Sequence, residues 1–164
     1  MSVRPDITDP ARNEPGGRLN LLLSYGGWDH DPWIDRLPTL LEPFGVRSFK
    51  AASGAEATRI IQRFPVHIAV VDLALPLEAC DAAPATEEGG ARLLDLLARL
   101  DQPPPTVVVK RRRPPRQSSR ELASALQRGA FAVLEPPVHL ETALETMRRV
   151  LMRHYADRWP GGRA

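Results

Sequence analysis

A chain of 164 residues, 43% of them hydrophobic, can bury one core and is too short for two ordinary domains. No run reaches the roughly 18 apolar residues of a membrane span, and the opening MSVRPDITDPARNEPGG lacks the apolar core of a secretory signal, so a cytoplasmic protein is expected. The single cysteine, Cys80, excludes an internal disulfide and a cysteine zinc site, and a net charge of +2 is too small for a general nucleic-acid field.

Residues 1 to 17 are rich in proline, glycine and charge without periodicity and read as a disordered leader; residues 158 to 164 read as a flexible tail. Between them, from 18 to 157, apolar strand-like runs alternate with amphipathic helical ones. LNLLLS (19 to 24) is a short apolar strand. PWIDRLPTLLEPFG spaces Ile34, Leu37, Leu41 and Phe44 as one helical face, with Pro38 predicting a kink or a late start. VRSFKAA is a weaker strand, and SGAEATRIIQRF opens with Ser53 and Glu56 at capping-box spacing above a stripe of Ile60, Ile61 and Phe64.

VHIAVVD (66 to 72) is a β-branched run that ends in a carboxylate, Asp72. An acidic, Ala/Pro-rich connection follows, too long for an ordinary link between strand and helix. ARLLDLLARL is the next helix, PTVVVK (105 to 110) the next strand, and KRRRPPRQ a basic loop. SSRELASALQRG predicts a helix capped by Ser118 with Glu121 and closed by Gly129; FAVLEPP is a fifth strand. A last helix runs from about 138 to 157 with Leu140, Leu144, Met147, Leu151 and Tyr155 inward. Five strands alternating with five helices imply right-handed crossovers and an open α/β parallel sheet covered on both faces.

Ligands of such sheets bind beyond the carboxyl ends of the strands. Those ends read Ser24 and Tyr25, Asp72, Lys110 and Arg111, and Glu135 and Pro136. The order of elements, VVDLALP and GAFAVLEPP together resemble the receiver domain of two-component response regulators over roughly residues 18 to 157. The resemblance implies a flavodoxin-like five-stranded sheet in the order 2-1-3-4-5 with five flanking helices. It also implies an aspartate after strand 3 that takes a phosphoryl group, an acidic pair after strand 1 for Mg²⁺, a hydroxyl ending strand 4, and a lysine before a cis proline ending strand 5.

Matched position by position, the phosphoacceptor falls on Asp72 and the proline on Pro136. The acidic pair falls on Ser24 and Tyr25, the hydroxyl on Lys110 and the lysine on Glu135. The pocket therefore resembles that of a degenerate receiver, a pseudo-receiver. Mg²⁺ needs several oxygen ligands, and phosphoryl transfer needs its equatorial charge neutralised, so neither Mg²⁺ nor any other cofactor, nor catalytic turnover, is expected. In the implied strand order Lys110 emerges between Asp72 and Glu135, where a cation stands in for the metal; the alternative is that it points to solvent. Asp29 and Asp31, late after strand 1, remain as metal candidates, although stabilisation at a helix N-terminus is the preferred account of them. His67, inside the third strand, reads as a core-edge histidine, and His139 and His154 lack partner spacing for zinc.

KRRRPPRQSSR gathers six cations in eleven residues. Arg111, Arg112, Arg113 and Arg116 suit an acidic protein partner, because guanidinium forks bind carboxylates in pairs; a plain solvated loop is the bland alternative. Nucleic acid ranks last because the loop holds no aromatic residue for stacking. Trp28 and Trp33 either anchor a partner or cover the end of the core. The expected function is a stand-alone signalling or scaffolding module that acts through protein contacts, with a homodimer through the fourth and fifth helices implied by the resemblance. Still open are a phosphorylatable receiver using Asp72, a flavodoxin-like enzyme or nucleotide binder, and an arginine-rich nucleic-acid adaptor.

Overall fold

The computed structural model describes residues 19 to 25, 33 to 76, 89 to 110, 114 to 135 and 138 to 155. The strands are β1 (Leu19–Ser24), β2 (Val46–Ala51), β3 (Ile68–Asp72), β4 (Thr106–Val109) and β5 (Ala132–Leu134). The helices are α1 (Trp33–Leu41), α2 (Gly54–Arg63), α3 (Gly89–Ala98), α4 (Pro115–Gln127) and α5 (Leu140–Tyr155), with one 3-10 turn at Glu42–Phe44. All strand pairs are parallel and the order is β2-β1-β3-β4-β5. The expected α/β sheet and its flavodoxin-like order are both present.

Every residue of β1 and β3 is buried, the polar Asn20, Ser24 and Asp72 among them, as in strands covered on both faces. Side chains alternate between two cores. Leu21 and Leu23 join Trp33, Leu37, Met147 and Leu151 under α1 and α5, whereas Leu22 joins Leu93, Leu97 and Ala125 under α2, α3 and α4. Each fully buried leucine contributes roughly 1.5 to 3 kcal/mol, so these two layers dominate the stability. Trp33, 3% exposed, belongs to the core and is no anchor for a partner; Trp28 lies outside the described residues.

Local chemistry sets the element ends. Ser53 caps α2 by accepting from the Glu56 N–H at 3.2 Å, and the Glu56 carboxylate accepts from the Ala52 N–H at 2.9 Å. Such a cap is worth about 1 kcal/mol. Pro38 sits inside α1, which starts no later than Trp33. Gly45 closes the 3-10 turn with φ 82°, a left-handed geometry that favours glycine, and its N–H returns to the Glu42 carbonyl.

Several expectations need correction. α4 begins at Pro115, so Ser118 is an interior residue and not its cap: proline is preorganised for the first helical position and adds a turn. α3 takes in Gly89 and Gly90 as its first residues, ahead of the expected ARLLDLLARL run. His67 precedes β3 instead of lying within it. The inner face of α5 is centred on Ala143, Met147, Val150 and Leu151, with Leu140, Leu144 and Tyr155 only partly buried at its margin. The leader, the tail and the 78 to 88 connection lie outside the described residues, and no described helix is long and apolar enough to cross a membrane.

Candidate functional site at the strand exits

The carboxyl ends of β1, β3 and β4 meet in consecutive register. Ser24 pairs with Val71, Asp72 pairs with Val109, and the Leu73 and Lys110 N–H groups continue the ladder onto the Val109 and Leu134 carbonyls at 3.0 and 2.9 Å. The exits of four adjacent strands therefore share one rim.

Asp72 is 3% exposed, and its carboxylate accepts from the Ala74 N–H at 2.9 Å while its carbonyl accepts from the Leu75 N–H at 3.0 Å. It therefore holds the turn after β3. Two helix starts press on that turn. A Cβ on Gly90 would lie 2.4 Å from the Asp72 carbonyl oxygen, and one on Gly89 would lie 2.3 Å from that of Pro76. The same Pro76 carbonyl accepts from the Gly54 N–H of α2 at 2.8 Å. Glycine at 89 and 90 is thus what lets α3 begin against the backbone that carries Asp72.

Lys110 does not point to solvent. The residue is 6% exposed, and its ammonium donates to the Ser118 hydroxyl of α4 at 2.5 Å and stands 3.6 Å from the Glu135 carboxylate. A charge-assisted hydrogen bond in a buried setting is worth about 1.5 to 3 kcal/mol. The Glu135 side chain is 74% exposed, and a contact of that length to a solvated carboxylate is worth less than about 1 kcal/mol. Ser118 is therefore the dominant partner. No periodicity linked residues 110 and 118; the one available signal was a serine eight residues past an apolar strand that ends in lysine.

The remaining site residues divide. The Ser24 hydroxyl is buried and has no hydrogen-bond partner among the described residues. Tyr25 is partly buried against the core under α1 and α5. Arg116 is exposed in the first turn of α4. Asp29, Asp31, Arg111, Arg112, Arg113 and Pro136 lie outside the described residues.

A divalent cation fits this rim poorly. Asp72 brings a carboxylate already engaged by an N–H group, Ser24 brings a neutral oxygen, and the next exit brings a buried ammonium. Among the described residues no three His, Cys, Asp or Glu side chains form a metal-holding group.

No family model matches the chain, and no curated protein matches it. Solved structures do. A CheY-like response regulator receiver domain protein from Methanospirillum hungatei JF-1 superposes with a TM-score of 0.64 at 20% identity, covering 85% of this chain and 98% of that one. The non-phosphorylated HemR receiver domain from Leptospira biflexa gives 0.62 at 21%, covering 82% and 94%. A sensor protein from Polaromonas sp. JS666 gives 0.60 at 23%, covering 84% and 98%. What these likenesses share with the strand order and the position of Asp72 is architecture: this chain has the fold of a response regulator receiver domain.

Proposed function

We propose that this chain is a signalling or scaffolding module that works through protein contacts, without aspartyl phosphorylation and without turnover of its own. The observation that carries the reading is the buried Lys110 ammonium, bonded to Ser118 and facing Glu135. Phosphoryl transfer to Asp72 would need cations that arrive on the phosphoryl oxygens as charge develops there. Here the one described cation buried at the rim is already committed to α4, and the described residues offer no oxygen cage for Mg²⁺.

The same bond supports a role in recognition. It ties the exit of β4 to α4, the helix on which Leu122 and Leu126 stand 38% and 52% exposed. A helix fixed in one setting presents those side chains in one geometry, which lowers the ordering cost of binding. An acidic partner suits Arg116 at the start of that helix, and a second copy suits the leucines.

Incubation with a small-molecule phosphodonor and Mg²⁺, followed by intact mass measurement, tests the reading. The unmodified mass is expected throughout. A stoichiometric phosphoryl adduct mapped to Asp72 would overturn it in favour of a working receiver.

A further inference from the structure

At the opposite edge of the sheet from β5, strand β2 is paired on one side only among the described residues. Its Ala51 carbonyl accepts from the Tyr25 N–H, and the preceding Gly45 carbonyl accepts from the Leu19 N–H. In a parallel ladder alternate residues face alternate neighbours, so the backbone groups of Val46, Ser48 and Lys50 point away from β1. Such an edge is a template for another strand.

Four exposed cations, Arg47, Lys50, Arg59 and Arg63, stand on or beside it. Phe49 of β2 and Phe64 at the end of α2 stack with centroids 4.6 Å apart, and the exposed Arg47 guanidinium lies over both rings, 4.9 and 5.6 Å from their centroids. Arg59 and Arg63 are exposed and one turn apart on α2, leading to Phe64. Lys50 pairs with Asp35 at 2.8 Å, whereas Arg47, Arg59 and Arg63 form no ion pair with any described residue.

We propose that the β2 edge is a docking site for an extended acidic segment of a protein partner, which adds to β2 as a sixth strand and places its carboxylates against Arg47 and Arg63. Three arguments select this occupant. A second β2 would set Arg47 and Lys50 against like charges, so the edge disfavours its own copy. The Phe49 and Phe64 rings are already engaged with each other and with Arg47, so a stacked nucleic-acid base is the less favoured occupant. Stacking also holds the Arg47 fork in place, and a held guanidinium binds a carboxylate with less ordering cost. The site stands apart from the strand-exit pocket and does not depend on how that pocket is read.

The test uses the full chain and a fluorescent alternating Val-Glu peptide of about eight residues, a typical strand length. Three controls accompany it: its Val-Gln analogue, a version N-methylated at alternate amides, and an oligodeoxythymidylate. The acidic peptide is expected to bind, to weaken as salt rises, and to shift the amide resonances of residues 46 to 50. N-methylation, the Gln analogue, or the double substitution Arg47→Gln with Arg63→Gln should each weaken binding by about tenfold or more. Failure of the acidic peptide to bind, equal binding of either peptide control or by the double variant, shifts centred on α4, or tighter binding of the oligonucleotide would each overturn the proposal.

Discussion

The Lys110 ammonium lies 2.5 Å from the Ser118 hydroxyl, so the end of β4 and the second turn of α4 are held by one bond across the loop between them. The cost of a buried charge makes the two ends of that bond unequal. Ser118→Ala strands an ammonium short of an acceptor and should lower stability by about 1 to 3 kcal/mol. Lys110→Met keeps the volume and removes the charge, so it should cost less than about 1.5 kcal/mol. Urea unfolding midpoints of the two variants check the order; a larger loss for Lys110→Met would show that the charge itself stabilises the fold.

Ser24 offers a second probe of the rim. Its hydroxyl is buried without a described partner, and β1 and β3 leave the sheet side by side. Ser24→Asp buries another carboxylate near Asp72 and should destabilise by roughly 2 kcal/mol or more. Mg²⁺ or Mn²⁺ should recover part of that loss in the variant and leave the parent melting temperature unchanged. Differential scanning calorimetry with and without the cation reads both.

Gly90→Ala would set a methyl group 2.4 Å from the Asp72 carbonyl, a contact that only backbone displacement can relieve. Overpacking of this kind costs roughly 1 to 3 kcal/mol. Gly129→Ala makes a control of a different kind: no atom lies within 4 Å of its added methyl, and only the positive φ of 90° resists it. Thermal unfolding of both separates a steric clash from backbone strain.

The far end of the sheet carries a pH dependence. His67 Nδ1 accepts from the Asn20 N–H at 2.9 Å, the His67 carbonyl accepts from the Tyr155 hydroxyl, and burial lowers the imidazole pKa below its ordinary 6.5. Below that value the unfolded chain takes up a proton that the folded chain refuses. Stability is therefore complete above about pH 6.5 and declines as pH falls towards the folded-state value. Unfolding midpoints at pH 7.5 and 5.5 should differ in the parent, and the difference should shrink in His67→Gln, whose amide oxygen can accept the same N–H.

Periodicity made the sheet legible. LNLLLS and IAVVD are apolar except at Asn20 and at their last residues, a pattern that suits a strand covered on both faces, and Asp72 stood out as the polar residue at such a strand's end. The contacts that define the site were hidden because they join residues with no shared period. Ser118 and Glu121 fit a capping box by spacing, yet the stiffness of Pro115 starts the helix earlier and frees the Ser118 hydroxyl for Lys110. The glycine pair at 89 and 90 looks like a turn in any local reading; only packing against the Asp72 backbone explains it. Phe64 continues an apolar stripe on α2, but its stacking on Phe49 and the guanidinium above both rings depend on β2 being outermost.

The approach of Gly89 to the Pro76 carbonyl has a topological meaning. The described residues on either side of positions 77 to 88 thus stand against each other, so the framework itself brings those two ends together. Closing a longer detour between fixed ends adds only about 0.6 kcal/mol per doubling of its length. A change in the number of residues joining those two ends is therefore one that the wiring of the sheet can absorb at small cost.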